Sequence, residues 1–356
     1  MNDKNDQGGR AQHEVGSVVT IVHVFHYGEE RLGGAQKIIH QLHRAGGRSS
    51  RIVAFDGLWK GDLRSPSSKL TALAQLIRII LFERNTFLFL HHRIFLPVTW
   101  LARRRSAFVC HNIFPSKNRV YRLFGSARCI AVSEEVRSYL VRWNPKLRVD
   151  VIVNGMSAGD GEMHEAVPDE IVDVGFVGRV DHQKGADLLF AAAVRLVQTE
   201  GVPIRLHMVG EPGAMGADLI ERSHAMGLPA GFLTFHGYSA NPFGRVRSAD
   251  VICIPSRYEG FGLVFYEALE RGHLVLASRL PVFHAFDWDG RTMFCEPDNV
   301  DALTDGLRTC AQKVLIGMPQ PDALRRHTIP TVKAMAEAYI DYAATSVPVS
   351  RQRAST

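Results

Sequence analysis

Ten short apolar runs recur along the chain with helical patterns between them: "VVTIVHVF", "SRIVAF", "TFLFL", "AFVC", "RCIAV" and "VDVIV", then "IVDVGFV", "PIRLHMV", "FLTFHG" and "ADVICIP". Strands that are apolar on both faces cannot lie on a half-exposed sheet; they need cover above and below. Intervening helices supply that cover, so the pattern predicts α/β architecture with parallel sheets. A chain of 356 residues also exceeds what one hydrophobic core usually serves. Asn154-Gly155 is a turn signal, and the small, acidic and Pro residues that follow it read as a linker. Two domains are therefore expected, over 18–165 and 166–330, with 1–17 a loose polar leader and a last helix within 331–345.

Charge narrows the partners. A net charge of +6 suits phosphorylated small molecules, acidic lipid or nucleic acid. No nucleic-acid motif interleaves the arginines with aromatics, so no nucleic-acid partner is expected. The five cysteines are far apart, which signals neither a zinc site nor a disulfide framework and points to a reducing cytoplasm. The leader lacks the apolar core of a secretory signal, and "TFLFLHHRIFLPVTWLA" is broken by His91, His92, Arg93 and Pro97, so no integral membrane segment is expected. A helix over Lys69–Arg84 carries Leu70, Leu73, Leu76, Ile77, Ile80 and Leu81, which predicts a core-facing stripe. The same helix with Arg103-Arg104-Arg105 and Arg119/Arg122 is also a candidate basic, partly apolar face for anionic lipid.

Three glycine turns follow apolar runs. In "VGRVDHQKGADLLFAA", Arg179 and Lys184 precede Gly185 and a helix, a placement that suits phosphate oxygens; the alternative is a solvated turn with ordinary surface cations. Gly33-Gly34 enters another helix, where backbone can approach a phosphate closely or the turn can serve packing alone. Neither half has Gly-x-Gly-x-x-Gly after its first strand, which counts against a nicotinamide or flavin cofactor; Gly210, in "MVGEPGAMG", opens a weaker glycine run with the wrong spacing. In "SRYEGFGLVFYEALERG", Glu259 precedes a helix starting near Leu263 and Glu267 lies inside it. The unpaired N–H groups of Gly260, Phe261, Gly262 and Leu263 suit a diphosphate, and the carboxylates suit hydroxyls. A ligand with phosphates in its middle and hydroxyls at both ends is a sugar nucleotide.

"GGAQKII", "HNIFP", "VIVNG", "VGRVDHQKGADLL" and "PSRYEGFGLVFYEALERG" stand in an order that resembles the retaining glycosyltransferases of family four. That resemblance covers nearly the whole chain and implies the GT-B fold, two facing Rossmann-like domains with an interdomain cleft. It implies that Glu259 binds hydroxyls of the transferred sugar, Glu267 holds the ribose, and Arg179 and Lys184 neutralise the diphosphate. Gly33 and Gly34 would close over the phosphates with Gly260 to Leu263, Gly210 would join the donor-binding set, and His111 would lie near the reacting carbon. The implied reaction is hexosyl transfer from a UDP- or GDP-sugar to a glycan or polyprenyl-diphosphate-linked acceptor in surface or exopolysaccharide synthesis, without metal or further cofactor. The last helix would cross back to the first domain, and the enzyme would be cytoplasmic, with the inner face of the plasma membrane as a candidate location. The alternatives are a non-catalytic sugar-nucleotide-binding subunit or another GT-B enzyme such as an epimerase. The remaining histidines, His23, His26, His91 and His92, read as satisfied structural residues.

Overall fold

The computed structural model describes residues 19–26, 33–55, 66–114, 119–125, 127–157, 163–165, 170–285, 291–317 and 329–347. The leader, most of "LWKGDLRSPSS" and the tail beyond Val347 lie outside these residues. Among the described residues, twelve strands form two parallel sheets of six. The first sheet holds β1 (Thr20–Phe25), β2 (Ser50–Ala54), β3 (Thr86–Leu90), β4 (Ser106–Cys110), β5 (Arg128–Ala131) and β6 (Arg148–Val151), in the order β2-β1-β3-β4-β5-β6. The second holds β7 (Val172–Val177), β8 (Ile204–Val209), β9 (Leu233–Gly237), β10 (Val251–Ile254), β11 (Leu274–Ser278) and β12 (Thr292–Cys295), in the order β12-β11-β10-β7-β8-β9. Strands β3, β4, β10 and β11 are buried along their whole length, the physical meaning of their unbroken apolar runs.

The helices are α1 (Gly34–Gly46), α2 (Pro66–Phe82), α3 (Val98–Leu101), α4 (Val120–Leu123), α5 (Glu134–Trp143), α6 (Ala186–Glu200), α7 (Gly213–Ala225), α8 (Pro242–Arg245), α9 (Leu263–Glu270), α10 (Val300–Leu315) and α11 (Val332–Ser346). Their starts are written locally: Ser133 accepts from Val136 N at 3.2 Å, Asn299 from Ala302 N at 2.9 Å and Thr331 from Ala334 N at 3.1 Å. Helix α11 follows the second sheet in sequence yet packs on the first, with Tyr339 4.9 Å from Phe89 and Tyr342 5.8 Å from Phe87 between ring centres. One continuous core therefore joins residues of both domains, from Ile21 and Phe89 to Phe265 and Phe283.

Helix α2 departs from the stripe read in the sequence. It buries Ala72, Leu76 and Ile79, whereas Leu70 is 67% exposed and Leu73, Ile77 and Leu81 also face out. An apolar stripe wider than the sheet can cover leaves its far edge in solvent, so the face is only partly a core face. Arg105 is withdrawn from the basic surface as well: its guanidinium donates to the carbonyls of Glu83 at 2.6 Å and Ile80 at 2.8 Å, closing the end of α2.

Candidate active site

In each sheet the strand order reverses beside its first strand, between β1 and β3 and between β7 and β10. Loops leaving the carboxyl ends of two such strands diverge and open a crevice. Behind β7 and β10 these loops are Gly178–Gly185 and Pro255–Gly262, which is why Arg179, Lys184 and Glu259 meet although about seventy-five residues of chain separate them. The two crevices face each other across a cavity of about 460 Å³. Gly33, Gly34, His91, His111, Arg179, Lys184, Glu259, Gly260, Phe261, Gly262 and Leu263 line it.

Most of the residues singled out in the sequence thus converge. Lys184 Nζ donates to Glu259 Oε1 at 2.6 Å, and Ser256, itself buried, donates to the same oxygen at 2.8 Å. Among the described residues this leaves Oε2 uncommitted, an acceptor for a ligand hydroxyl. Arg179 reaches Asp181 at 3.0 Å and Gln183 at 3.1 Å, holding a half-exposed guanidinium at the cavity wall. Helix α9 is preceded by Gly262 at its N-cap, whose φ of 79° is left-handed, and a Cβ there would overlap the ring of Phe283. Glycine is what lets the helix N-terminus stand free at the cavity.

Two residues stand apart. Gly210 does not line the cavity; its backbone presses on Gly178, whose carbonyl oxygen leaves no room for a Cβ, and its N–H donates to Gly237 at 2.8 Å. Its part is to set the height of the Arg179 loop. Glu267 lies behind the lining residues, gripped at 2.8 Å by Lys37 of α1.

Sequence reasoning does not reach several groups that build the site. Arg257 forks onto Asp187 at 2.9 and 2.8 Å and donates to the carbonyl of His182 at 2.6 Å, stapling the two C-terminal loops together. Ser133 caps α5 and also donates to the carbonyl of Gly260 at 2.6 Å across the cleft. His91 joins His111 at 2.8 Å and His23 at 2.9 Å, so histidines read as merely structural back the cavity. In the sequence Ser133 reads as the cap of the helix begun by Glu134-Glu135, which does not identify a partner in the other domain.

Burial holds these imidazoles neutral: it lowers His23 to about 3 and His111 to about 4, and depresses His91 as well. Each takes a proton when the chain unfolds at a pH below 6.5 but not while folded, so the folded state loses stability as pH falls from about 6.5 toward 4. Each group contributes roughly 1.4 kcal/mol per pH unit once the pH is well inside that window. Urea unfolding at pH 7 and pH 5 should show the loss, and His23→Phe should make it shallower.

Residues 172–313 match the family model described as glycosyl transferases group 1. The C-terminal domain is a group 1 glycosyltransferase domain. Over 146 residues the chain is 33% identical to a D-inositol 3-phosphate glycosyltransferase of Rhodococcus erythropolis, covering 37% of this chain and 33% of that one. Over 230 residues the chain is 30% identical to a phosphatidyl-myo-inositol mannosyltransferase of Mycolicibacterium smegmatis, covering 62% and 55%. The chain thus spans between a third and just over half of these relatives. Among solved structures it superposes on Anabaena HepE in complex with UDP and glucose, at TM-score 0.64 and 16% identity over 94% of this chain and 98% of that one. Sucrose-phosphate synthase from Thermosynechococcus elongatus matches at TM-score 0.66 and 16% identity, over 92% and 94%. At that identity these likenesses establish the fold, the two facing Rossmann-like domains of GT-B, with the group 1 glycosyltransferase domain supplying the half that carries Arg179, Lys184 and Glu259.

Proposed function

We propose that this chain transfers a hexosyl group from a nucleoside diphosphate sugar to a glycan or lipid-linked acceptor, retaining anomeric configuration. The observation that carries the reading is the meeting of Lys184, Arg179 and the free N-terminus of α9 in one interdomain cavity with Glu259. Breaking a glycosyl-phosphate bond leaves negative charge on the diphosphate and positive charge on the sugar, so preorganised cations and N–H donors stabilise the leaving group. Fixed side-chain cations in that place carry out the neutralisation in this reading, without a metal. Glu259 Oε2 takes hydroxyls of the sugar, and the leaving phosphate takes the acceptor's proton on the same face. The relatives' printed activities, inositol-phosphate glycosyl transfer and mannosyl transfer, support glycosyl transfer, the lipopolysaccharide core mannosyltransferase among them supports a surface-glycan role, and UDP with glucose in HepE supports a nucleotide sugar donor.

Calorimetry with UDP and GDP, followed by a panel of their sugars, tests the reading; absence of binding to both would end it. Glu267→Ala should weaken nucleotide affinity by about tenfold, the worth of a lost charge-assisted hydrogen bond to a ribose hydroxyl. Glu259→Ala should instead slow transfer while leaving UDP or GDP affinity within a small factor. Normal nucleotide affinity in the Glu267 variant would remove the ribose assignment, with Lys37 its partner in place of a ribose. A non-catalytic binding subunit keeps the affinity and shows no turnover with any donor.

The membrane reading rests on a separate surface. Arg103 and Arg104 line a cavity of about 530 Å³ with Arg128, Lys146 and Arg148 at the amino ends of β4, β5 and β6. Beside it Trp100 is 57% and Leu101 73% exposed, and Trp100 packs tilted against Phe124 with ring centres 4.9 Å apart, next to the cavity wall at Gly125. Cations ringed by exposed apolar side chains suit an anionic bilayer surface, and among the described residues no helix is long and apolar enough to cross one. Arg103→Glu/Arg104→Glu should abolish pelleting with phosphatidylglycerol vesicles in low salt; unchanged pelleting removes the membrane from the proposal.

A further inference from the structure

The cavity of about 530 Å³ lies at the far end of the first sheet from the cleft. Strands β4, β5 and β6 lead toward the cleft at their carboxyl ends, and this cavity opens at their amino ends, about 15 Å back along the strands. It is lined by Arg103 and Arg104 from the turn before β4, Gly125, Arg128 at the start of β5, and Lys146 and Arg148 around the start of β6. No acid is among them. Register sets Arg128 and Arg148 side by side, while Ala127 and Leu147, their neighbours in the chain, are buried in the core. The hollow is thus backed by a medium of low dielectric, which focuses the field of its charges.

The chain as a whole carries 42 Lys and Arg against 36 Asp and Glu, so a surface of average composition would mix the signs. Here none of the five cations forms an ion pair with a carboxylate among the described residues. Arg105, the third arginine of the triplet, is turned away to the carbonyls of Glu83 and Ile80, and Asp150, two positions past Arg148, is bonded to Tyr342 of α11. Protection of the sheet edge accounts for Arg148, since β6 ends the sheet and a cation there discourages pairing with a further strand. It gives Arg103, Arg104 and Arg128, on or before inner strands, no reason to converge. Five like charges drawn into one hollow repel one another, and a bound anion offsets that cost.

We propose that this hollow is an anion site separate from the cleft, which takes a terminal phosphate group, either a phosphomonoester or the end of a diphosphate. A guanidinium fork matches two oxygens of one phosphate, and a terminal phosphate offers three free oxygens and close to two negative charges at pH 7. A phosphodiester has one free oxygen fewer and roughly half the charge, a poorer match for five cations. Two sources carry the terminal group, a soluble phosphate ester and a lipid headgroup. The site stands whether or not the cleft transfers a sugar. It sharpens the reading of this face as the membrane side, because a bilayer would be held here by selected headgroups and not by diffuse charge alone.

Calorimetry with pyrophosphate at low salt, on the full chain, tests the site. The unaltered chain should bind at two places, the cleft and this hollow. Arg128→Gln/Arg148→Gln should weaken the second by at least about tenfold, and Lys184→Ala should weaken only the first. Arg104→Gln, in a turn outside the strands, should weaken the second severalfold with no change in melting point. Without phosphate the double variant should melt no lower than the unaltered chain, because repulsion is relieved, and pyrophosphate should raise its melting point less. Binding that Lys184→Ala abolishes and the arginine variants leave unchanged overturns the proposal. So does a lower melting point in the arginine variants with pyrophosphate affinity unaltered, the mark of a structural role. Binding that only the arginine variants weaken keeps this site and counts against the cleft as a diphosphate site. Vesicles separate the two sources. Stronger pelleting with phosphatidic acid, a phosphomonoester, than with phosphatidylglycerol at the same surface charge, reversed by pyrophosphate, assigns the site to lipid. Equal pelleting with both, alongside pyrophosphate binding in solution, assigns it to a soluble phosphate; equal pelleting without that binding leaves only diffuse charge and overturns the proposal.

Discussion

Lys184→Ala should lower the rate of sugar transfer by about a hundred- to a thousand-fold, the usual cost of removing one preorganised stabiliser of developing negative charge. The ammonium sits at the mouth of the α6 N-terminus, fixed there by a backbone N–H to Asp181 Oδ1 at 3.0 Å and by its own bond to Glu259 at 2.6 Å. Its methylenes run past Gly178, at ordinary van der Waals distance from where a Cβ would stand. A cation held in this way pays little reorganisation when the diphosphate departs. The same substitution strands Glu259, which is only 6% exposed and retains Ser256 alone. Loss of one member of a buried pair costs up to about 3 kcal/mol, so the variant should also melt earlier. The two effects separate in the double variant Lys184→Ala/Glu259→Gln: a neutral amide removes the stranded charge and should restore the melting point, while transfer stays slow. A single Lys184→Ala variant with transfer within tenfold of the unaltered protein would show that Arg179 and the helix N-terminus carry the charge by themselves, and that Lys184 serves only to hold Glu259.

The layout of the fold was legible because strands buried on both faces have a compositional signature that no surface element shares. Two strands escaped it. β11 is fully buried yet follows a helix after only three residues, and β12 is four residues long with three of them half-covered, so neither stands out as a separate run. The C-terminal part of the site was legible for a local reason: Arg179, Lys184, Gly185, Glu259 and Gly262 each lie in the one loop between a strand end and the next helix, no more than eight residues past that strand. What the sequence hides is contact between domains. Lys37 with Glu267 and Ser133 with Gly260 are separated by 230 and 127 positions, and each residue has an adequate local role, a surface cation or a helix cap. The row of histidines behind the cavity is hidden differently. His23, His91 and His111 come from three strands, and β3 must insert between β1 and β4 before they line up. The apolar stripe of α2 misleads for the complementary reason, since periodicity reports that a face is apolar and not how wide its partner is.

Gly260→Ala should open the cleft. Nothing in its own backbone requires glycine by conformation; what requires it is the approach of the other domain. A Cβ at this position would overlap the carbonyl oxygen of His111 and stand 2.7 Å from Asn112 Cα, both backbone atoms at the end of β4 that cannot swing aside as a side chain would. The methyl is relieved only if the loop before α9 and the end of β4 move apart. That movement breaks the 2.6 Å bond from Ser133 to the Gly260 carbonyl and draws the α9 N-terminus away from His111. Displacement of about an ångström between reacting groups is enough to cost a hundredfold in rate, and here the displaced parts are the two halves of the proposed transfer site. Transfer should therefore fall by about a hundredfold or more, with an increased radius of gyration by small-angle scattering, while UDP or GDP, held mainly by the C-terminal loops, still binds. Gly201→Ala is the control: its φ of 66° is left-handed but nothing lies within 4 Å of the added methyl, so the change costs about 1–2 kcal/mol of stability and leaves transfer intact. If Gly260→Ala keeps both the compact radius and the rate, the contact between Gly260 and His111 does not set the closed geometry, and closure must be held by Lys37 and Glu267 instead.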